Sequence, residues 1–220
     1  MTTTLITGSN RGIGLELTKQ LKARGHGVTA VCRQSSPELS ALGVRVLSGV
    51  DIGQKGAEKR LSELAQGTTY DCVIANAGIL RDESLDEIDF DSVQSQFEVN
   101  ALGPLRTVLA LLPHLREGGK VALITSRMGS MSDNSSGGYY GYRMSKAALN
   151  AAGVSLAHDL RARGIAVALL HPGYVRTDMT GNQGGVDPKD AAAQLIERIE
   201  QLQLESSGSF WHANGEVLPW

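Results

Sequence analysis

A tyrosine and a lysine four residues apart, Tyr142 and Lys146, are the side chains of this sequence with the clearest capacity for proton chemistry. On a helix, residues four apart lie one turn apart on the same face, so the phenol and the ammonium group can act on one substrate atom. A free phenol has a pKa of about 10, and lowering it by about 2 to 3 units requires about 3 to 4 kcal/mol of preferential stabilisation of the phenolate. We expect the lysine cation to lower the pKa of Tyr142 in this way.

A glycine-rich segment, TGSNRGIG at residues 7–14, follows the first strand-like run and precedes an amphipathic stretch. Glycines let the backbone approach a phosphate closely, and the free N–H groups and the dipole at a helix N-terminus favour negative charge. The spacing is Gly-x3-Gly-x-Gly, so the position directly after the first strand is what indicates a dinucleotide site. The alternative is a glycine-rich connection that binds nothing.

The end of the second strand-like run indicates which dinucleotide is bound. Proteins that bind NAD place an acidic side chain about 20 residues after the glycines, where it accepts hydrogen bonds from the ribose. Here Cys32, Arg33 and Gln34 occupy that place, and the next acid is Glu38. Because Arg33 and Arg11 can both form forked, charge-assisted bonds to a 2′-phosphate, we predict NADP(H). In the alternative, Arg33 is a solvated charge at a strand end.

These motifs are carried by short β-rich runs that alternate with helical stretches along the whole chain. The alternation predicts an α/β fold, a doubly wound parallel sheet of about seven strands with helices on both faces. No linker divides the chain, so a single domain is expected over residues 1–220. The predicted strands are 3–7, 28–32, 44–47, 72–75, 121–125, 166–170 and 209–212. The predicted helices run from the glycine turn to residue 25 and over 55–65, 92–115, 142–163 and 188–204.

The predicted helix 92–115 has the most regular apolar stripe, and Asn100 falls on it. We therefore expect Asn100 to point inward. Pro104 lies in the middle of the same helix and cannot donate to the carbonyl four residues earlier, which is that of Asn100. This carbonyl is therefore expected to be available to another donor.

Composition excludes several classes of function. The 21 basic and 23 acidic residues give a net charge of −2, and no block of Lys or Arg suggests a nucleic-acid or membrane partner. The N-terminus has no secretory pattern and no apolar run approaches the length of a membrane span, so a cytoplasmic protein is expected. Cys32 and Cys72 lie in strand-like runs and are expected to be buried, reduced thiols. The histidines lack metal-ligand spacing, and no metal site is predicted.

A set of motifs follows in order along the chain: residues 7–14, Asn76-Ala77-Gly78, Asn100, Ser126, Tyr142-x3-Lys146 and Pro172-Gly173. Together they resemble the short-chain dehydrogenase/reductase family, and within it the small carbonyl-reductase-like branch that includes C-factor-like proteins. The resemblance covers nearly the whole chain and implies a Rossmann-type fold.

The resemblance implies a role for each of four catalytic residues. Ser126 hydrogen-bonds the substrate carbonyl, and Tyr142 is the proton donor in reduction. Lys146 lowers the pKa of the tyrosine and holds the nicotinamide ribose, while Asn100 binds a water that extends a proton relay from the lysine. In the alternative, Asn100 is only a buried hydrogen-bonding residue.

The resemblance also implies a set of cofactor-binding residues. Asp51 would meet the adenine, or else simply cap a helix, while Val175 and Thr177 would meet the nicotinamide carboxamide. The full set is Gly8, Asn10, Arg11, Gly12, Ile13, Gly14, Arg33, Asp51, Ile52, Asn76, Ala77, Gly78, Tyr142, Lys146, Pro172, Gly173, Val175 and Thr177.

One departure from the family pattern concerns Ser126, which lies sixteen residues before Tyr142. That is about three more than the common spacing, and we expect the extra residues to bulge outward. Ser130 or Ser132 could therefore be the reactive serine, although Ser126 directly follows the predicted strand.

The resemblance implies an NADPH-dependent reductase that converts an aldehyde or ketone, a small-molecule carbonyl substrate, to an alcohol. The alternatives are a nucleotide-binding sensor or signalling protein and, less favoured, an epimerase or dehydratase, which would usually carry a larger C-terminal region. A homodimer or homotetramer is possible, and the loop 177–186 is expected to be flexible. The substrate pocket is expected to be lined by Met128, Met131, Tyr139, Tyr174 and Met179.

Overall fold

Seven parallel strands form one sheet in the computed structural model, which describes all residues 1–220. The strand order is β3-β2-β1-β4-β5-β6-β7, so the chain reverses its direction of winding between β1 and β4. In such a sheet, ligands bind in the crevice at the carboxyl ends of the strands near this switch point. The strands are β1 (Thr3–Thr7), β2 (Gly27–Val31), β3 (Arg45–Leu47), β4 (Tyr70–Ala75), β5 (Leu115–Ile124), β6 (Ala166–His171) and β7 (Phe210–His212).

Helices cover both faces of the sheet and bury an apolar layer on each. On one face α1 packs against α7, and on the other α3 packs against α5 and α4 against α6. The expected single α/β domain with a doubly wound sheet is therefore confirmed. The helices are α1 (Gly12–Ala23), α2 (Pro37–Ser40), α3 (Ala57–Ala65), α4 (Phe90–Phe97), α5 (Gly103–Leu111), α6 (Tyr140–Asp159) and α7 (Pro188–Gln201).

The predicted helix 92–115 is not continuous. It consists of α4, a π-helical turn at Glu98–Leu102 and α5, with Pro104 in the first turn of α5. A proline is tolerated there because first-turn N–H groups have no partner within their own helix. The π-helical turn widens the backbone just before the proline, and such turns are frequent at functional sites.

Strand β5 begins at Leu115, six residues before the predicted start at 121. Its register against β4 shifts between Tyr70 and Cys72, where Gly118 adopts a left-handed φ of 72°. A bulge of this kind is not visible as alternation of apolar residues, which is why the early part of the strand was missed. Cys32 and Cys72 are both buried free thiols, as expected. None of the helices has the length and apolar character needed to cross a membrane.

Candidate active site

The glycine-rich turn joins the carboxyl end of β1 to the start of α1. Gly8 and Gly12 adopt positive φ angles of 69° and 53°, which favour glycine. The N-cap of α1, Arg11, makes no side-chain hydrogen bond to the helix, and the first turn holds no acidic residue. The amides at this helix N-terminus are therefore free of side-chain caps and favour an anionic group.

Close packing against β4 explains the third glycine of the turn. A Cβ atom on Gly14 would lie 2.1 Å from the Gly8 carbonyl oxygen and 2.6 Å from Asn76 Nδ2. The Asn76 amide donates to the carbonyls of Thr7 (3.1 Å) and Gly8 (3.3 Å), while Thr7 Oγ1 accepts from the N–H of Asn76 and of Ala77. The turn is thus held rigidly beside the end of β4, at the switch point of the sheet.

A cavity of about 640 Å³ opens at this switch point. Gly173 and Val175 of the predicted cofactor set lie outside its lining: Gly173 faces Val186 and His212, and Val175 is buried in a β-bridge with Val186. The predicted residues that line the cavity are Gly8, Asn10, Arg11, Gly12, Ile13, Gly14, Arg33, Asp51, Ile52, Asn76, Ala77, Gly78, Tyr142, Lys146, Pro172 and Thr177.

Tyr142 and Lys146 lie in the first two turns of α6 and both line the cavity. Lys146 Nζ is 5.8 Å from the centre of the Tyr142 ring and donates a 2.9 Å hydrogen bond to the carbonyl of Ile124, at the end of β5. The side chains are almost fully buried, with 8% of Tyr142 and 4% of Lys146 exposed. The predicted shared helix face is therefore present.

Burial dominates the ionisation of both groups. It raises the pKa of Tyr142 above its usual value, and hydrogen bonding with the Ser126 side chain opposes the shift. It lowers the pKa of Lys146 to about 8. In the protein without a bound nucleotide the net effect is a raised phenol pKa, because removing a phenolate from water costs free energy. That Lys146, together with a bound oxidised nicotinamide, lowers the phenol pKa stays a prediction.

Ser126, rather than Ser130 or Ser132, lies beside the phenol. Ser126 lies two residues after the end of β5 and accepts a 3.2 Å hydrogen bond from the N–H of Met128, at the start of a short 3-10 turn. That turn packs directly on α6, because a Cβ atom on Gly129 would lie 2.8 Å from the Lys146 backbone. Ser130 and Ser132 instead hold the exposed loop that follows: Ser130 Oγ accepts from the Asp133 N–H, and Ser132 Oγ donates to the Trp220 carbonyl.

Asn100 points inward as expected, and its side chain holds the cavity wall. Its Oδ1 accepts from the Ile79 N–H, and its Nδ2 donates to the Ile79 carbonyl (both 2.8 Å) and to Ser145 Oγ (3.1 Å). A Cβ atom on Gly78 would lie 3.2 Å from Asn100 Oδ1 and 3.7 Å from Lys146 Nζ. Asn100 therefore braces the strand end next to the lysine, and its proposed part in a proton relay stays a prediction.

The two arginines predicted to read a 2′-phosphate have different surroundings. Arg33 follows β2, is exposed, lines the cavity and forms no ion pair. Arg11 also lines the cavity, but its guanidinium pairs with Asp178 at 3.1 Å, in a segment beyond β6. Asp51 lines the cavity, and its side chain accepts a hydrogen bond from the Gly53 N–H within a turn. It does not cap a helix, because α3 begins at Ala57 with Gly56 as its N-cap.

The segment after β6 is hydrogen-bonded in a way that its composition did not indicate, and its expected flexibility stays a prediction. Loop 177–186 is internally hydrogen-bonded, because Thr177 and Thr180 cap each other and Val186 pairs with Val175. Of the five residues expected to line a substrate pocket, Met179 alone lines the described cavity, while Met131 and Tyr174 are largely exposed.

Sequence reasoning also missed residues at the site. Glu83 is buried beside the start of α6. The segment that carries it has no apolar periodicity, so no pattern in the sequence indicated that this residue is buried. The unpredicted cavity-lining residues are Thr7, Val31, Cys32, Val50, Ile79, Val99, Ile124, Thr125, Arg176, Asp178 and Asn182.

Two relatives are similar to this chain at more than 40% identity. A 1-hydroxy-2-glutathionyl-2-methyl-3-butene dehydrogenase from a Rhodococcus species is 42% identical over 226 residues, covering all of both chains. The C-signal protein of Myxococcus xanthus is 44% identical over 153 residues, covering 68% of this chain and 92% of C-signal.

Solved structures of carbonyl reductases have the same fold. Sniffer of D. melanogaster superposes with a TM-score of 0.92 and 28% identity over all of both chains. The NADPH-bound carbonyl reductase from chicken fatty liver superposes with a TM-score of 0.89 and 28% identity, covering all of this chain and 99% of that one. The carbonyl reductase of Pseudomonas aeruginosa superposes with a TM-score of 0.85 and 34% identity over all of both chains.

The family model described as short chain dehydrogenase matches residues 2–185, which is most of the chain. This match agrees with the whole-length relative and with the glycine-rich turn beside Tyr142 and Lys146. The chain belongs to the short-chain dehydrogenase family.

Proposed function

We propose that this protein reduces a small or medium-sized aldehyde or ketone to an alcohol with NADPH, with Tyr142 as the proton donor. One observation carries the proposal: the buried phenol, the Lys146 ammonium group and the glycine-rich turn line the same cavity, and Ser126 adjoins the phenol. The family membership makes the protein an oxidoreductase that uses NAD(P)H.

The residues present fit a dinucleotide. The uncapped N-terminus of α1 suits a pyrophosphate, and Gly14 leaves no space for a side chain where the turn meets β4. Asp51 and Ile52 would flank the adenine end, and Thr177 would meet the nicotinamide end. When bound, the nicotinamide supplies the hydride in reduction and accepts it in oxidation.

The chain's own residues supply the remaining steps. The Ser126 hydroxyl donates a hydrogen bond to the carbonyl oxygen and fixes its position. The Tyr142 hydroxyl gives its proton to that oxygen, and it takes the proton back when the alcohol is oxidised. The Lys146 cation favours the phenolate left on Tyr142, and the low-dielectric surroundings strengthen this attraction.

The preference for NADPH rests on Arg33. It is an exposed guanidinium on the cavity, without an ion pair to disrupt, at the position where an NAD-binding protein carries an acid. A relative bound to NADPH and another bound to NADP have the same fold, which supports the same choice here.

A second candidate is a signalling role that uses nucleotide binding with little turnover. The similarity to C-signal favours it. A buried phenol with a serine hydroxyl and a lysine ammonium nearby is unnecessary for binding alone, so we rank catalysis first.

The deciding experiment measures NADPH oxidation with a panel of aldehydes, ketones and quinones. It also measures NADP reduction with matched alcohols, since the Rhodococcus relative is named a dehydrogenase of an alcohol. Turnover that disappears in Tyr142→Phe supports the proposal. NADPH binding by calorimetry with no turnover across both panels would favour the signalling role.

A further inference from the structure

Glu83 is a buried carboxylate, 3% exposed, that the chemistry described above does not use. It lies between the cavity wall at Gly78 and the short helical turn Leu85–Glu87, and it forms no ion pair. A buried carboxylate needs hydrogen-bond donors to offset its loss of hydration. The groups that donate hydrogen bonds to Glu83 therefore indicate which parts of the fold this residue holds together.

Three donors converge on this carboxylate. Oε2 accepts from the backbone N–H of Gly141 at 3.0 Å, while Oε1 accepts from Ser92 Oγ at 2.9 Å and from Gln96 Nε2. Gly141 lies in the first turn of α6 and directly precedes Tyr142. Glu83 therefore joins α4, which carries Ser92 and Gln96, to the first turn of α6.

Helix α6 has no local means of capping its own start. Its N-cap residue, Tyr139, has φ 52° and ψ 43° and makes no side-chain hydrogen bond, and the first turn contains no acidic residue. A left-handed conformation is unfavourable for an aromatic residue and persists only where neighbours enforce it. Here the Tyr139 N–H donates to the Glu83 backbone carbonyl at 2.9 Å, so Glu83 holds this residue as well.

Close packing around Gly141 leaves little room for α6 to move relative to α4. A Cβ atom on Gly141 would lie 2.6 Å from Gln96 Nε2 and 2.9 Å from Val93 Cα, so α4 and α6 touch at this point. Gln96 is itself fully buried, and its Oε1 accepts from the Arg81 N–H at 2.9 Å. The network around Glu83 thus fixes the start of α6 relative to the cavity wall.

We propose that Glu83 is a positioning residue for Tyr142, because its hydrogen bonds to the first turn of α6 set where the phenol lies over the reacting carbonyl. The proposal rests on the proposed function, in which Tyr142 donates the proton. Loss of the anchor would release Tyr139 and loosen the turn that carries Tyr142. A displacement of about 1 Å in a catalytic group can cost about 10²-fold in rate.

A partner exchange separates hydrogen bonding from simple removal of the carboxylate. In Glu83→Gln the new amide NH₂ faces the Gln96 NH₂, whereas adding Gln96→Glu restores the hydrogen bond between the two side chains with donor and acceptor exchanged. The new amide then donates to the new carboxylate, its oxygen still accepts from Gly141, and Ser92 turns to accept. The Arg81 N–H keeps a carboxylate acceptor.

The test compares Glu83→Ala, Glu83→Gln and the double variant Glu83→Gln/Gln96→Glu with wild type. We expect Glu83→Ala to lower kcat about 10- to 100-fold while NADPH affinity stays within about threefold, and the double variant to recover most of kcat. Glu87→Ala, an exposed acid of the same segment, is the control and should be unchanged. Unchanged kcat in Glu83→Ala, or no recovery in a stably folded double variant, overturns the proposal.

A second readout needs no turnover. Ultraviolet titration of each variant against its Tyr142→Phe counterpart isolates the Tyr142 phenolate. Because burial raises the pKa of Tyr142, a loosened turn should bring that pKa back toward its usual value in Glu83→Ala. An unchanged titration contradicts the positioning role, whereas failure of wild type to reduce any carbonyl would contradict the proposed function alone.

Discussion

The Lys146 ammonium group lies 5.8 Å from the centre of the Tyr142 ring, and burial shifts the pKa values of the two groups in opposite directions. The phenol therefore holds its proton more firmly, while the lysine gives up its proton more readily than in water. The protein by itself keeps Tyr142 protonated at neutral pH, which is the form that a proton donor in reduction requires.

Replacement of the phenol tests its role directly. We expect Tyr142→Phe to lower kcat about 10²- to 10⁴-fold, the usual contribution of a general acid. NADPH affinity should stay within about threefold, because the glycine-rich turn and Arg33 remain. Steady-state kinetics and a fluorescence titration measure the two effects. Tyr140→Phe, a neighbouring phenol outside the cavity lining, is the matched control, and equal losses in both variants would contradict the assignment.

Lys146 should make stability depend on pH. Its folded-state pKa of about 8 lies below the unfolded value of about 10.4, so the unfolded state binds more protons between these pH values and stability rises with pH there. Below pH 8 the burial penalty, about 3 kcal/mol, is fully present. We expect the unfolding free energy of wild type, relative to Lys146→Met, to rise by about this amount from pH 7 to 10.5. Urea denaturation of both proteins measures it, and parallel profiles would refute the expectation.

Cofactor choice should depend more on Arg33 than on Arg11. Arg33→Asp removes a cation that has no ion pair and adds an acid, so the KM for NADPH should rise about 10- to 100-fold more than that for NADH. Arg11→Ala should change the ratio less, because the Arg11 guanidinium is directed to Asp178. Kinetics with both nucleotides measure the ratios. Equal changes for NADPH and NADH in Arg33→Asp would exclude a 2′-phosphate contact.

The glycine-rich turn should tolerate no side chain at Gly14. The Cβ atom in Gly14→Ala would meet the Gly8 carbonyl and Asn76 Nδ2, so we expect destabilisation by a few kcal/mol and loss of NADPH binding. Gly185→Ala is the control, since a Cβ atom there meets nothing within 4 Å. Thermal unfolding with and without NADPH provides the measurement, and a stable Gly14→Ala protein that binds NADPH would show that the turn can shift.

Much of the fold could be predicted because the relevant signals are local. Apolar runs and glycine positions predicted seven strands and the turn before α1, since strand alternation and positive φ depend on short stretches of backbone. The predicted start of β5 was wrong, and so was the single helix predicted over 92–115. A bulge in β5 and a π-helical turn around Asn100 leave the apolar pattern nearly unchanged, so the pattern did not reveal them. The hydrogen bonds of loop 177–186 to the segment before it, such as that from the Val186 N–H to the Tyr174 carbonyl, could not be predicted because composition does not reveal which backbone groups pair.

The sequence by itself determined the features that depend on close neighbours in the chain. Tyr142 and Lys146 share a helix face because they are one turn apart. Residues 7–14 form a turn of the kind that suits phosphate, because glycine permits the positive φ angles that this turn requires. Only the tertiary structure decided that the phenol pKa rises and that Glu83 holds the start of α6. Both depend on burial and on contacts between residues far apart in the chain, since Glu83 and Gly141 are separated by 58 positions.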